Sequence, residues 1–196
     1  YRPEIDAVKP QEVFETLYRV WSGGTSHEDI LAVLDKLINV FYHALSRYAW
    51  TPPSPDSFIG LMLRENAAMN EKLDQVKAIL KEGQTLTNRE RLLAALSPLL
   101  EFDAHYLKKE NILFPVMEQK RPRFQGVAIM WALHDTTRAG LKRVLRLLEE
   151  GTAPEGEINA EIGQLFFNMI GLGQKESLIL YPCAMEVLNA EDFASM

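Results

Sequence analysis

A single cysteine, Cys183, stands in the 196-residue sequence, which rules out an internal disulfide and any cysteine-rich zinc site. A metal here would have to be held by histidine and carboxylate. Basic residues are also outnumbered: 21 Lys and Arg against 27 Asp and Glu leave a net charge of −6. Such a balance disfavours polyanions, so nucleic acid is not an expected partner. No apolar run approaches the ~20 residues that span a bilayer, and the N-terminal stretch lacks the basic, apolar and small-residue order of a signal peptide. The expectation is a cytoplasmic protein without a membrane partner. Because the sequence opens on Tyr1 and not Met, a preceding segment or neighbouring domain is also expected. Nucleophile motif, phosphate loop and zinc signature are all missing, and Cys183 follows Pro182 on an apolar stripe, the usual place of an inert thiol. An enzyme is the weakest of the function classes.

The composition, 47% hydrophobic and 24% charged, suits one globular domain with a full core. Strand-like alternation never extends beyond a few residues, and turn residues divide the chain into six helical stretches, at about 10–21, 27–48, 57–82, 88–119, 126–150 and 157–188. Ser26 and Asp56 or Ser57 are expected caps, Gly23 and Gly83 expected stops, and "WTPPSPD" and "KRPRFQG" obligatory breaks. Pro98 and Pro115 should kink the fourth helix, and "GLG" at 171–173 reads as a flexible point in the sixth. The fold class is all-α, with four long helices joined by short connections as an antiparallel four-helix bundle. One or two additional N-terminal helices precede it. Residues 1–50 are read as the helical extension packed on the bundle, which takes 51–190. A weak internal repeat pairs "KENILFPVME" from Lys109 with "KESLILYPCAME" from Lys175, the spacing differing by one residue.

An ionisable side chain on an apolar helical stripe is the informative feature in such a fold. Glu65 interrupts Phe58, Leu61, Met62, Met69, Leu73, Val76 and Leu80; His134 interrupts Val127, Met130, Leu141, Leu145 and Leu148. Glu176 interrupts Leu165, Met169, Leu172, Ile179 and Cys183, and His105 lies between Phe102 and Ile112. Two carboxylates buried without partners would cost several kcal/mol each, so they must be protonated, paired with cations or bound to metal. Mixed histidine and carboxylate donors from facing helices are how four-helix bundles hold iron or manganese. The alternative is a set of satisfied internal hydrogen bonds, and both readings stay open. His43 lies on a mixed face, and the runs "KKE" and "LKRVLR" read as solvated helix faces.

The segments "HYLKKENILFPVME" and "IMWALHDTTR", followed by "KESLILYP", resemble the hemerythrin-like (HHE cation-binding) family. More closely, they are similar to a bacterial and archaeal subfamily often fused to PAS sensor domains. The resemblance implies a bundle binding non-haem iron through inward His and carboxylate side chains, with oxygen binding, nitric-oxide or redox sensing, or iron–sulfur repair among the family's activities. It implies metal-ligand roles for His105, His134 and Glu176 and matches His43 to a further family histidine, while Glu65 joins them from its place on the core stripe. This chain departs from the pattern at "SFIGLMLREN", where Ser57 and Gly60 stand at two histidine positions. His105 is followed four residues later by Lys109, with Glu110 one step beyond; a five-residue step turns about 140° around an α-helix, so the two share a ligand face only where the helix is distorted. Two functions are therefore expected in competition. One is a non-haem iron domain with a degenerate site in diatomic-gas (oxygen or nitric oxide) or redox sensing. The other is a metal-free interaction or signalling module, with a homodimer or a fused sensor domain as partner.

Overall fold

The computed structural model describes residues 2–51, 53–120, 124 and 127–196. Parts of two expected breaks, Pro52 in "WTPPSPD" and residues 121–123 and 125–126 in "KRPRFQG", lie outside them, as does the expected start of the fifth helix at Gly126.

A short α1 (Arg2–Ile5) leads to α2 (Pro10–Ser22) and α3 (His27–Arg47). Pro10 occupies the first turn of α2, where its missing N–H costs nothing, and Ser26 caps α3 by accepting from the Asp29 N–H at 3.1 Å. Ser57 does the same for α4 (Phe58–Lys81), accepting from the Gly60 N–H at 3.2 Å, and Gly83 at φ +76° takes the chain out of that helix.

The fourth helical stretch is a run of differently wound pieces. It begins as α5 (Arg89–Leu96) and tightens into a 3-10 segment (Ser97–Phe102), where Pro98 lacks an N–H to donate. It continues through α6 (Asp103–Lys108), a π turn (Lys109–Leu113) and α7 (Phe114–Lys120). After α8 (Ala128–Glu150), Gly151 at φ +64° reverses the chain into α9 (Glu155–Lys175). A second π turn (Glu176–Leu180), α10 (Tyr181–Val187) and α11 (Ala190–Ala194) complete the fold. Gly171 and Gly173 lie within unbroken α9, so the expected flexible point is ordinary helix. The described residues contain no strand.

Packing closes the long runs into a ring: α4 lies against α5 with its 3-10 extension and against α9, and α8 lies against those same two neighbours. Two apolar clusters fill the ring. Met62, Leu113, Met130 and Ile179 belong to one, and Met69, Leu99, Leu141 and Met169 to the other. Along the chain the clusters are met in alternating order, so successive runs cross the molecule in opposite directions. The helices α2 and α3 pack beside α8, α10 and the second π turn. The stripes fail at two residues: Leu61 is exposed, and the first π turn rotates Leu113 inward where plain α periodicity points to Ile112. No helix among the described residues is long and apolar enough to cross a membrane.

Gly60 has a structural reason. A Cβ there would stand 2.1 Å from the Ser54 carbonyl oxygen and 2.9 Å from the Pro55 carbonyl carbon, so the backbone preceding α4 closes the space where a longer side chain would sit. Gly60→Ala should therefore destabilise the fold by about 1–3 kcal/mol through backbone displacement, despite the helix propensity that alanine adds. Urea unfolding measures it; a neutral or stabilising result would mean that the turn yields freely.

Candidate functional site

Between the two apolar clusters every long run carries polar residues. They are Glu65 and Asn66 on α4, His105 on α6, Lys109 and Glu110 in the first π turn, His134 and Arg138 on α8, and Glu176 in the second π turn. Buried without hydrogen bonds they would unfold the protein, so their partners decide what the layer is.

Glu176 is the centre. Its side chain is fully buried, and its Oε2 accepts from Asn66 Nδ2 at 2.8 Å, from Tyr181 OH at 3.0 Å and from His105 Nε2 at 3.1 Å. Its Oε1 accepts from the Lys109 ammonium, itself with no solvent exposure. Burial alone would favour the neutral acid, but the Lys109 charge and the bond from His105 overcome it and hold the carboxyl well below the usual range. Lys109 is pushed down by burial, with Glu176 opposing. Tyr181 is pushed far up by burial and the neighbouring carboxylate, which keeps it a donor.

The histidines differ. His105 has Nδ1 2.8 Å from Glu65 Oε2 and Nε2 against Glu176. Ionised carboxylate oxygens only accept, so both ring nitrogens are engaged by carboxylates and neither is left free. Phe102 stacks on it at 4.4 Å between centroids. His134 has Nδ1 2.7 Å from Glu110 Oε1, while its Nε2 has no hydrogen-bond partner and lies 3.9 Å from Glu176 Oε1. Burial lowers its pKa, so the ring is neutral, with the proton on Nδ1 and a free lone pair on Nε2. Tyr106 stacks on this ring at 4.6 Å and offers its own face to Lys109 and Arg138 at 5.0 and 5.4 Å.

Two more carboxylates are paired in turn. Glu110 takes a two-pronged grip from Arg138, 2.9 and 3.0 Å from its oxygens. Glu65 accepts from Lys108 and His105. Burial raises the pKa of each, and the cations more than reverse it.

The structure thus brings His105, His134, Glu176 and Glu65 into one layer and leaves His43 out of it. His43 sits on an exposed face of α3, 3.5 Å from Asp6. The reading of "KKE" as a solvated face is overturned, because Lys109 and Glu110 are buried and only Lys108 reaches the surface. Sequence reasoning also passed over Asn66, Arg138 and Tyr181. Lys109 was within reach of it, since it lies one α-turn from His105; Glu110 required the π turn, which the Pro115 beyond it marks only obliquely. Both π turns close with a bond from an aromatic residue's N–H, Phe114 to the Lys109 carbonyl and Tyr181 to the Glu176 carbonyl. Among the described residues no group of three or more His, Cys, Asp or Glu is arranged to hold a metal ion.

The family model described as Hemerythrin HHE cation binding domain matches residues 57–172 of the chain. No curated protein matches it, and no solved structure matches it.

Arg138→Met should cost about 3 kcal/mol near neutral pH, because Glu110 then stays buried without its cation. The folded pKa of Glu110 is depressed, so the stability it contributes is complete above its unfolded value of about 4.3 and is lost as pH falls through the folded value. The depression shrinks in the variant, and urea unfolding curves of the two proteins should converge below about pH 4. A gap that stays constant into acid would mean that Arg138 acts by packing alone.

Proposed function

The chain belongs to the hemerythrin HHE cation-binding family, and from that premise we propose that it is a metal-free interaction or signalling module whose inward donors are closed on one another. The ring of α4, the run from α5 to α7, α8, and α9 with α10 corresponds in this reading to an antiparallel four-helix bundle, with α2 and α3 as the N-terminal addition. A cytoplasmic setting and a second copy or fused sensor domain as partner belong to the same proposal.

One observation carries it: His105 gives both ring nitrogens to carboxylates. A histidine ligand must be neutral, with one nitrogen free for the metal. Ser57 and Gly60 support the reading, the first committed to capping α4 and the second closed over by the backbone of Ser54 and Pro55. As arranged, the described residues do not fit a metal ion.

A second reading rests on His134. Its Nδ1–H on Glu110 and its free, buried Nε2 facing Glu176 are the tautomer and outer-shell carboxylate that metal-bound histidines use. Non-haem iron or manganese, and with it a diatomic ligand or redox sensing, would follow from that atom.

The two readings part on anaerobic loading with ferrous iron or manganese, followed by gel filtration and elemental analysis. The wild type should retain no stoichiometric metal, and His134→Ala should change only stability, by about 1–3 kcal/mol through the partner left on Glu110. A wild type that retains one ion per chain, lost in His134→Ala, would sink the metal-free reading and establish the other.

A further inference from the structure

The internal repeat gains a definite register from the two π turns. Each begins six residues before a proline, at Lys109 before Pro115 and at Glu176 before Pro182, and each is closed by the N–H of the aromatic residue between. Aligned on these turns and not on the shared Lys-Glu dipeptide, Lys109 and Glu176 are equivalent positions. Both side chains reach the middle of the layer with no exposure, and they pair with one another. One copy of the repeat therefore delivers a carboxylate, and the other delivers an ammonium.

That ammonium sits on Glu176 Oε1, the oxygen 3.9 Å from the free Nε2 of His134, while the other oxygen receives His105. We propose that the Lys109 ammonium is the resident cation of this layer: it fills the charge and space that a divalent ion would take beside Glu176 and His134, and so excludes one. This deepens the metal-free reading and rests on it. A lysine suits the task because its charge is compact and its stem flexible, and the Tyr106 face beneath it supplies further attraction. Removing the ammonium leaves Glu176 Oε1 buried with no donor against it, which is the condition under which a metal ion enters.

The test compares wild type with Lys109→Met, which keeps the stem and removes the charge, and Lys109→Gln, which keeps a donor toward Glu176. Each is equilibrated anaerobically with manganese or cobalt(II) and read by metal content after gel filtration, by the cobalt visible spectrum and by thermal unfolding with and without chelator. At least one variant should bind about tenfold or more tightly than wild type, the order expected for removing a like charge at contact distance. Metal should raise the variant's Tm and leave that of the wild type unchanged. A variant that folds only with metal present supports the proposal, and Glu176→Gln in the same background should abolish the gain. Variants that fold but take up no more metal than wild type overturn it, as do variants that stay unfolded with and without metal. In either case a wild type that binds nothing leaves the metal-free reading standing. A wild type that itself binds one ion with Lys109 in place ends both.

Discussion

A carboxylate with no contact to water must be neutralised on the spot, and the arrangement of this protein follows from meeting that requirement at Glu176. Transfer of such an ion out of water costs several kcal/mol even after relaxation, and attraction repays it only when the remaining lone pairs are also satisfied. Here the partners come from every side: Asn66 from α4, His105 from α6, Lys109 from the first π turn, Tyr181 from the helix of Glu176 itself. Each partner fixes the axial position and rotation of the helix that carries it. Apolar stripes alone would tolerate a repacked register, since methionine and leucine surfaces adapt to one another. A helix slipped by one residue would instead strand a charged group.

The two π turns are how the backbone meets this demand. In an α-helix neighbouring residues point about 100° apart, and a run of three charges cannot all find buried or half-buried partners. Where α6 passes into the first π turn they do: Lys108 reaches Glu65, Lys109 reaches Glu176, and Glu110 reaches His134 and Arg138. The second turn sends Glu176 into the layer and Lys175 the other way, to Asp35 on α3, which ties the N-terminal helices to the residue beside the central carboxylate. Proline just beyond each π turn lacks the N–H that would otherwise hold the chain in α register.

The difference between what the sequence disclosed and what it withheld has the same origin. Helix starts at Ser26 and Ser57 and ends near Gly23 and Gly83 are local properties, written in side-chain oxygens and, at Gly83, in glycine's freedom at positive φ. Glu65, His105, His134 and Glu176 stood out because each breaks an apolar stripe of strict α period. Glu110 and Ile112 were misjudged because that period fails at residue 109, and no periodic reading survives the insertion of a π turn; Lys109 still keeps the period, one α-turn from His105, and was hidden by the charged run around it. Arg138 and Asn66 escaped for another reason. Arg138 sits at the edge of its stripe and Asn66, in line with buried Met62, Met69 and Leu73, carries no charge to mark it; only the partner across the interface, Glu110 or Glu176, gives each its place.

The position of the layer, with an apolar cluster on either side, determines how strongly its charges act. Met69, Leu99, Leu141 and Met169 close it on one side, and Met62, Leu113, Met130 and Ile179 on the other, so little water can screen the pairs. Screening would weaken the pull of Lys109 on Glu176, but it would also lower the penalty of burying either. Replacing the whole network with apolar side chains of similar volume would be neutral or stabilising by the precedent of other buried ion pairs. What such a core could not supply is a definite cation site. The layer keeps one at Glu176 Oε1, which lies 3.9 Å from the free Nε2 of His134 and accepts from the ammonium of the chain's own lysine.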